Sequence, residues 1–332
     1  MKWEFTCLYK GVPFAKFLML VMPQLLFANP LHRTWRYAAT STASPCWPGM
    51  AKVLGEQRAH RPGEGLKYGL RAWLFQRSRQ RFAGQLAALP SWAAMFRDDP
   101  TLYFIPWRAF LDVRWGMAER LSACSADLAA AHAVFGSERC ERLRHSERIV
   151  LCETEDFSIH LAKNKICCHE GFWALTLLNP QGVELFNLSF GFLSDRHVLV
   201  ASLQGVQKST DDSQDRIRLL TKRAHGLRPT MLLLNVFVML CQRWGMQRIQ
   251  GIDPDFQIKQ RNRAPGKGFT FDYRALWEEA GGKRDGSGYW DLPLTLPERA
   301  AADIPSNKRS MYARRYALRH QLAQHVAVEW ES

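Results

Sequence analysis

The sequence has none of the cysteine pairing that would announce a zinc site or a disulfide framework. Its eight cysteines include no CxxC pair and no regular spacing, which favours a reduced, cytosolic chain. It also lacks an apolar run long enough to cross a bilayer: the stretch at 17–28 is short and interrupted by Pro23, whereas a spanning helix needs about 20 apolar residues. Acid is scarce, with 31 Asp and Glu against 45 Lys and Arg and a net charge of +14. Such a balance points to an anionic partner: coenzyme phosphates, lipid headgroups, a polyanionic envelope component or nucleic acid. Zinc-finger spacing, an aromatic RNA-binding signature and a helix-turn-helix pattern are all missing, which argues against a dedicated nucleic-acid binder. What is present is apolar material, 47% of 332 residues, enough for two domains or one elaborate one.

Lys2, Lys10 and Lys16 precede the apolar run in the manner of a signal-peptide core, but no small-x-small cleavage site follows, and 40–49 reads as a Ser/Thr/Pro linker. An ordered membrane-associated arm, a disordered leader and an overextended start all fit, so organised structure is expected from about Gly65. The stretch 66–83 sets Leu66, Leu70, Trp73 and Leu74 at helical spacing with Arg71, Arg77, Arg79 and Arg81 around them. It reads either as a helix docking on an anionic membrane or as a domain helix with a solvated cationic face. Helical material continues to about 145. Strand-like runs follow at 148–153, 157–162, 172–178, 184–193 and 197–206, and they suggest an antiparallel meander. Phe186, Leu188, Phe190 and Phe192 alternate as one buried face requires, and Asn179-Pro180-Gln181-Gly182 reads as a turn. The adjacent Cys167 and Cys168 would point to opposite faces of a strand and share no metal.

The most informative segment is 197–253: an apolar strand, a polar interval at 208–218 that is a lid or a surface connection, a basic glycine turn at 223–228, a buried helix and a second strand. Pro229 suits a first helical position and Gly245 a C-terminal cap. A helix N-terminus collects unpaired N–H groups and positive dipole, so the basic turn there can hold phosphate. Cys241 inside this helix reads as a small core residue. Asp253, after the second strand, is a candidate catalytic base or the start of the turn Asp253-Pro254-Asp255. Tyr273 is a candidate proton donor to a leaving thiolate, or a packing residue together with Trp277 on a helix capped by Asp272. In the basic run 308–320, Arg314, Arg315 and Arg319 lie among Met311, Tyr312 and Tyr316.

Two resemblances follow. The turn Arg223-x-x-Gly226-x-Arg228 resembles the Gln/Arg-x-x-Gly-x-Gly/Ala turn of GNAT-type acyltransferases at its first two positions; the third, normally small, is Arg228. The second resemblance, over about 65–322, is to the VirK/YbjX family of bacterial proteins. It is carried by Leu203-Gln204-Gly205, His225-Gly226-Leu227-Arg228-Pro229, Asp272-Tyr273 with Trp277-Glu278-Glu279, Gly281-Gly282, Ile304-Pro305-Ser306 and Lys308-Arg309. That family is associated with virulence and resistance to antimicrobial peptides.

Together these readings imply an α+β protein in which a helical N-terminal region packs on a GNAT-like mixed sheet with a buried central helix. The expected divisions are a leader or linker at 1–64, a helical region at 65–145, a GNAT-like α/β domain with a basic C-terminal helix at 146–322, and a tail at 323–332. The expected activity is acyl transfer from acyl-CoA to an envelope-associated amine or hydroxyl, without a metal. Gln204, Arg223, His225, Gly226, Leu227 and Arg228 would bind the coenzyme, and Asp253 or Tyr273 would serve catalysis. The alternative is a non-catalytic cationic adaptor. Either would be cytoplasmic or peripheral at the inner membrane and would engage an anionic small molecule or a membrane or envelope component; the sequence sets no oligomeric state.

Overall fold

Branched and aromatic residues recur through 149–205, and turn residues punctuate them. The chain accordingly folds there into five consecutive antiparallel strands: β1 (Ile149–Glu153), β2 (Ser158–Lys163), β3 (Trp173–Leu178), β4 (Glu184–Ser194) and β5 (His197–Gly205). The computed structural model describes residues 47–55, 63–205, 211–259 and 271–331. The apolar run at 17–28, most of the expected leader and the start of the polar interval lie outside the described residues. Asn179 makes the β3–β4 turn as its sequence suggests, its side chain accepting from the N–H of Gln181 and Val183. Cys167 and Cys168 differ from expectation: Cys168 begins a single 3-10 turn rather than a strand.

After β5 the chain reverses the pattern. Helix α7 (Asp211–Arg223) and helix α8 (Pro229–Arg243) form a crossover to β6 (Arg248–Gly251), which pairs parallel to β5. A parallel neighbour cannot be reached by a hairpin, so the crossover is obligatory. Helix α9 (Tyr273–Glu279) and the short strands β7 (Lys283–Arg284) and β8 (Trp290–Leu292) follow. The sheet of described strands runs β1-β2-β3-β4-β5-β6-β8-β7.

Alternation along β4 suggested one buried face, but almost every residue of that strand is buried. The reason is a helix on each side. Gly191 faces Leu111 and Asp127, whereas its neighbour Phe190 packs on Phe237 of α8 at 4.9 Å, and successive strand residues point to opposite faces. The Gly191 side is covered by the segment α6 (Met117–Arg144), which is broken at Gly136. Five shorter helices precede it: α1 (Met50–Leu54), α2 (Glu64–Leu74), α3 (Gln76–Ala87), α4 (Pro90–Asp98) and α5 (Phe104–Arg108). The other face carries α8, apolar all round because all round it is buried: Leu232, Leu233, Leu234, Val236, Phe237 and Leu240 each sit in the core, worth about 1.5–3 kcal/mol apiece. Among the described residues no helix is long and apolar enough to cross a membrane.

Two expected boundaries move. Organisation begins before Gly65, because Trp47 is buried against Phe82 and Tyr103 and its Nε1 donates to the Tyr68 hydroxyl at 2.9 Å. The expected tail at 323–332 is instead, up to Glu331, the last part of α10 (Arg309–Glu331). Leu322 and Val326 are fully buried, and Trp330 packs on Trp244 at 5.5 Å with the Arg139 guanidinium over its ring. A helix ending in mixed polar and apolar residues looks like a tail until its partners are known.

Between α6 and the sheet lies a buried carboxyl, Asp127. Its Oδ1 accepts from Trp173 Nε1 at 2.9 Å and from the Phe192 N–H at 2.8 Å, whereas Oδ2 makes no hydrogen bond within 3.5 Å to the described residues. Burial pushes its pKa up to about 7, the hydrogen bonds offsetting only part of the shift. A carboxyl that binds its proton more tightly when folded favours the native state below its unfolded pKa, about 3.9, and loses that contribution as pH rises through about 7. Stability should therefore fall between pH 4 and 7. Asp127→Asn keeps the acceptor and removes the charge; urea unfolding at pH 8 should show a gain of roughly 1–4 kcal/mol, with a flatter pH profile. An equal or steeper slope in the variant would exclude Asp127 as the source.

Candidate functional site

Strands β5 and β6 run together for only four residue pairs, His197 with Arg248 through Val200 with Gly251. The Ile252 N–H still reaches the Val200 carbonyl at 3.0 Å, after which β5 continues with no paired strand on that edge among the described residues. Helix α9 fills the divergence. The Tyr273 hydroxyl donates to the Leu203 carbonyl at 3.0 Å and accepts from the Leu203 N–H at 3.2 Å, supplying both bonds a strand would have made. One turn on, Trp277 Nε1 donates to the Ile252 carbonyl at 3.0 Å, and its ring lies so close to Gly251 that a Cβ there would fall 2.6 Å from it. Asp272 caps the helix through the Ala275 N–H at 3.0 Å. Tyr273 is thus committed to main chain on both sides of its oxygen.

Asp253 follows β6 and is fully buried. It accepts from Asp255 N–H at 3.1 Å, from Trp290 Nε1 at 3.2 Å and from Arg274 at 2.9 Å, with Arg284 at 3.6 Å. Burial pulls its pKa up, but the Arg274 pair and the N–H donors outweigh this and hold the carboxyl below its usual range. Such a group binds protons poorly, so its chemistry is that of a turn anchor.

A different carboxyl carries the opposite tuning. Glu170 is fully buried, accepts from the Ser202 hydroxyl at 2.8 Å and has the Lys259 ammonium at 3.6 Å. Burial raises its pKa, with Lys259 and Ser202 opposing. Lys259 also donates to the amide oxygen of Gln204, so Gln204 belongs to this cluster rather than to the glycine turn. Nothing in the sequence around Glu170 marks it; only the alternation that puts Ser202 and Gln204 on one face of β5 gives a hint.

The glycine turn holds both expected and unexpected features. Gly226 adopts φ +76° and His225 φ +53°, the left-handed geometry that ends α7. The N–H groups of His225, Gly226 and Leu227 bond back to Lys222, Thr221 and Ala224 and are therefore spent. The space a Gly226 side chain would need belongs to α10: a Cβ would lie 2.8 Å from Arg315 Nη2 and 3.3 Å from Met311 Sδ. The glycine serves a helix crossing rather than a backbone phosphate cradle. Arg223 turns away to Asp156 at 2.8 Å and lines a separate pocket of about 400 Å³. Leu227 is core, and Arg228 is ion-paired with Glu279.

His225, Gly226 and Arg228 do come together on a groove of about 960 Å³ at the start of α8, a size that holds a drug-sized ligand. Arg218, Lys222 and Arg314 add positive charge to it, while Phe186, Ile217, Phe271 and Met311 give it an apolar wall. Thr230 lines it too. The first turn of α8 has no side-chain cap, and Pro229 stands at its first position, so the N–H groups of Thr230 and Met231 precede the first intrahelical bond, made by Leu232 to Arg228. Arg314 and Met311 could be seen in the sequence as part of a basic helix, but not that the helix crosses the glycine turn.

A family model described as a protein of unknown function (DUF535) matches residues 58–328. An uncharacterized protein of Haemophilus influenzae is 34% identical over 261 residues, covering 78% of this chain and 88% of its own length. The Escherichia coli K12 protein YbjX is 23% identical over 269 residues, 78% of this chain and 81% of its own. A Mannheimia haemolytica protein named membrane protein LapB is 28% identical over 218 residues, 64% of this chain and 93% of its own.

Removing the Tyr273 hydroxyl should leave a buried N–H and a buried carbonyl of Leu203 without partners. Tyr273→Phe is therefore expected to lose about 2–4 kcal/mol in urea unfolding, at about 1–3 kcal/mol per unsatisfied group. Full stability in the variant would show that the phenol does not hold the free edge of β5.

Proposed function

The chain belongs to the DUF535 family, and from that premise we propose that it is an acyl-CoA-dependent acyltransferase-like protein acting on an envelope-associated amine or hydroxyl. The observation that carries the reading is the composition of the groove at the start of α8. Cations on one side and aromatic and aliphatic side chains on the other match a ligand with phosphates at one end and an apolar chain at the other. The strand order adds support. Antiparallel strands, a crossover helix and one parallel strand that diverges from its neighbour are what a GNAT-like sheet requires.

In this reading the phosphates are held by Lys222, Arg218 and Arg314 side chains and by the open first turn of α8, with His225 and Arg228 at the rim. The N–H groups of His225, Gly226 and Leu227 take no part, since they are used within the turn. The base role passes from Asp253 to Glu170, because a proton acceptor works best with its pKa moved toward neutrality. The acceptor nitrogen or oxygen would attack the thioester carbonyl and give its proton to Glu170. The carbon–sulfur bond breaks and the thiolate leaves. The second reading, an adaptor that holds an anionic amphiphile without reacting, draws on the same groove and on the use of the His225, Gly226 and Leu227 N–H groups within the turn.

Calorimetry separates these readings from no binding at all. Palmitoyl-CoA should bind saturably and more tightly than acetyl-CoA, and Lys222→Ala with Arg314→Ala should weaken it at least about tenfold, the loss of two charge-assisted contacts. No heat with either thioester would overturn the groove assignment. Thiol release in the presence of a primary amine, abolished by Glu170→Gln, would support transfer; tight binding without release would support the adaptor.

A further inference from the structure

Helix α2 turns an apolar stripe outward. Its inner face is fixed by Tyr68, whose hydroxyl donates to the Pro48 carbonyl at 3.0 Å and accepts from Trp47, and whose ring stacks on Trp107 at 4.4 Å. Away from that face Leu66 is 73% exposed, Trp73 54% and Leu74 54%. Positions i, i+7 and i+8 share one side of a helix, so these three form one patch. Single exposed apolar residues need no explanation. Three on one stripe of an eleven-residue helix, one of them tryptophan, are different.

The charges around the patch identify its partner. Helices α2 and α3 carry Lys67, Arg71, Arg77, Arg79 and Arg81 and a single carboxylate, Glu64; Arg71, Arg77 and Arg81 are exposed. A second copy seated on the same patch in a two-fold dimer would bring like charges together. An anionic bilayer offers what both components need: phosphates for the cations and an acyl boundary for the apolar side chains, with tryptophan favoured at the headgroup level. We propose that α2 docks this protein onto an anionic lipid surface. Leu66, Trp73 and Leu74 enter the headgroup boundary, and Lys67, Arg71, Arg77 and Arg81 engage lipid phosphates. The inference uses no residue of the groove and stands or falls without it.

The test is co-sedimentation of the full chain with vesicles of phosphatidylglycerol and phosphatidylcholine, or of phosphatidylcholine alone, at about 150 mM salt. Binding to the anionic vesicles should be at least about tenfold stronger than to the neutral ones. The combined variant Leu66→Ser, Trp73→Ser, Leu74→Ser should lose at least about tenfold in binding to anionic vesicles, with its urea midpoint preserved because all three sites are exposed. It retains residues 1–46, so the difference belongs to α2. A second variant, Arg71→Ser, Arg77→Ser, Arg81→Ser, should lose the preference for anionic lipid. The proposal is overturned if the wild type ignores anionic vesicles or if the triple apolar variant binds them like the wild type. It is also overturned if light scattering shows a lipid-free dimer that this variant converts to monomers, which would assign the patch to a second copy.

Discussion

The edge of β5 beyond its last pair with β6, which no described strand covers, is the constraint around which the second half of the molecule is arranged. A parallel neighbour requires a crossover, and β6 follows β5 for only four residue pairs before the strands part. From there the N–H and carbonyl of Leu203 would be buried without partners, a loss no small domain tolerates easily. Tyr273 answers with one hydroxyl used twice. Because that hydroxyl must reach β5, α9 is pinned across the divergence, and because Trp277 then lies on β6, position 251 admits only glycine without displacing the ring. The tight turn at Asp253, the arginines that neutralise it and the return through β8 follow from where α9 must sit.

Three fully buried carboxyls show how surroundings decide what an acid can do. Among the described residues Asp127 has neutral N–H donors and no paired cation, and its pKa rises to about 7. Glu170 has a hydroxyl and one half-exposed ammonium, and its pKa rises as well. Asp253 has two guanidinium groups and two N–H donors, and its pKa falls. Desolvation acts on all three; the number of cations decides its outcome. A carboxylate that stays charged anchors structure, while one moved toward neutrality can exchange a proton. In the acyl transfer we propose, that distinction moves the proton-accepting role from the conspicuous Asp-Pro-Asp turn to an inconspicuous glutamate beside β5.

Much of this fold could be read from the residues. The five strands, the Asn179 turn, the Pro229 start of α8 and the Asp272 cap are local signals, each with its physical cause inside a few residues, and the structure has them where that logic puts them. Long-range features could not be read that way. Gly226 looks like a phosphate-turn glycine because its positive φ is a local need, yet the space beside it is filled by Arg315 and Met311 from a helix some 85 residues later in the chain. Arg223 and Arg228 look equivalent in sequence; one pairs with Asp156 and the other with Glu279. The stripe on α2 has helical spacing, which sequence logic normally assigns to the core, and only the burial of Tyr68 shows that the helix is turned the other way.

The excess positive charge of +14 is therefore better understood by what accompanies it than by its sum. Many arginines are absorbed by the fold: Arg114 by Asp112, Arg248 by Asp285 and Asp291, Arg274 by Asp253 and Asp255. Where cations gather at the surface in numbers, in the α8 groove and along α2 and α3, apolar side chains stand among them. A nucleic-acid surface would spread its charge along a phosphate track and would expose aromatic rings for stacking. Phe186, Phe271 and Trp73 are rings such a surface could use, but the leucine, isoleucine and methionine beside arginine serve no stacking role. In the two proposals these side chains meet a molecule that is anionic at one end and hydrocarbon at the other, and that shared chemistry links the two surfaces more firmly than charge alone could.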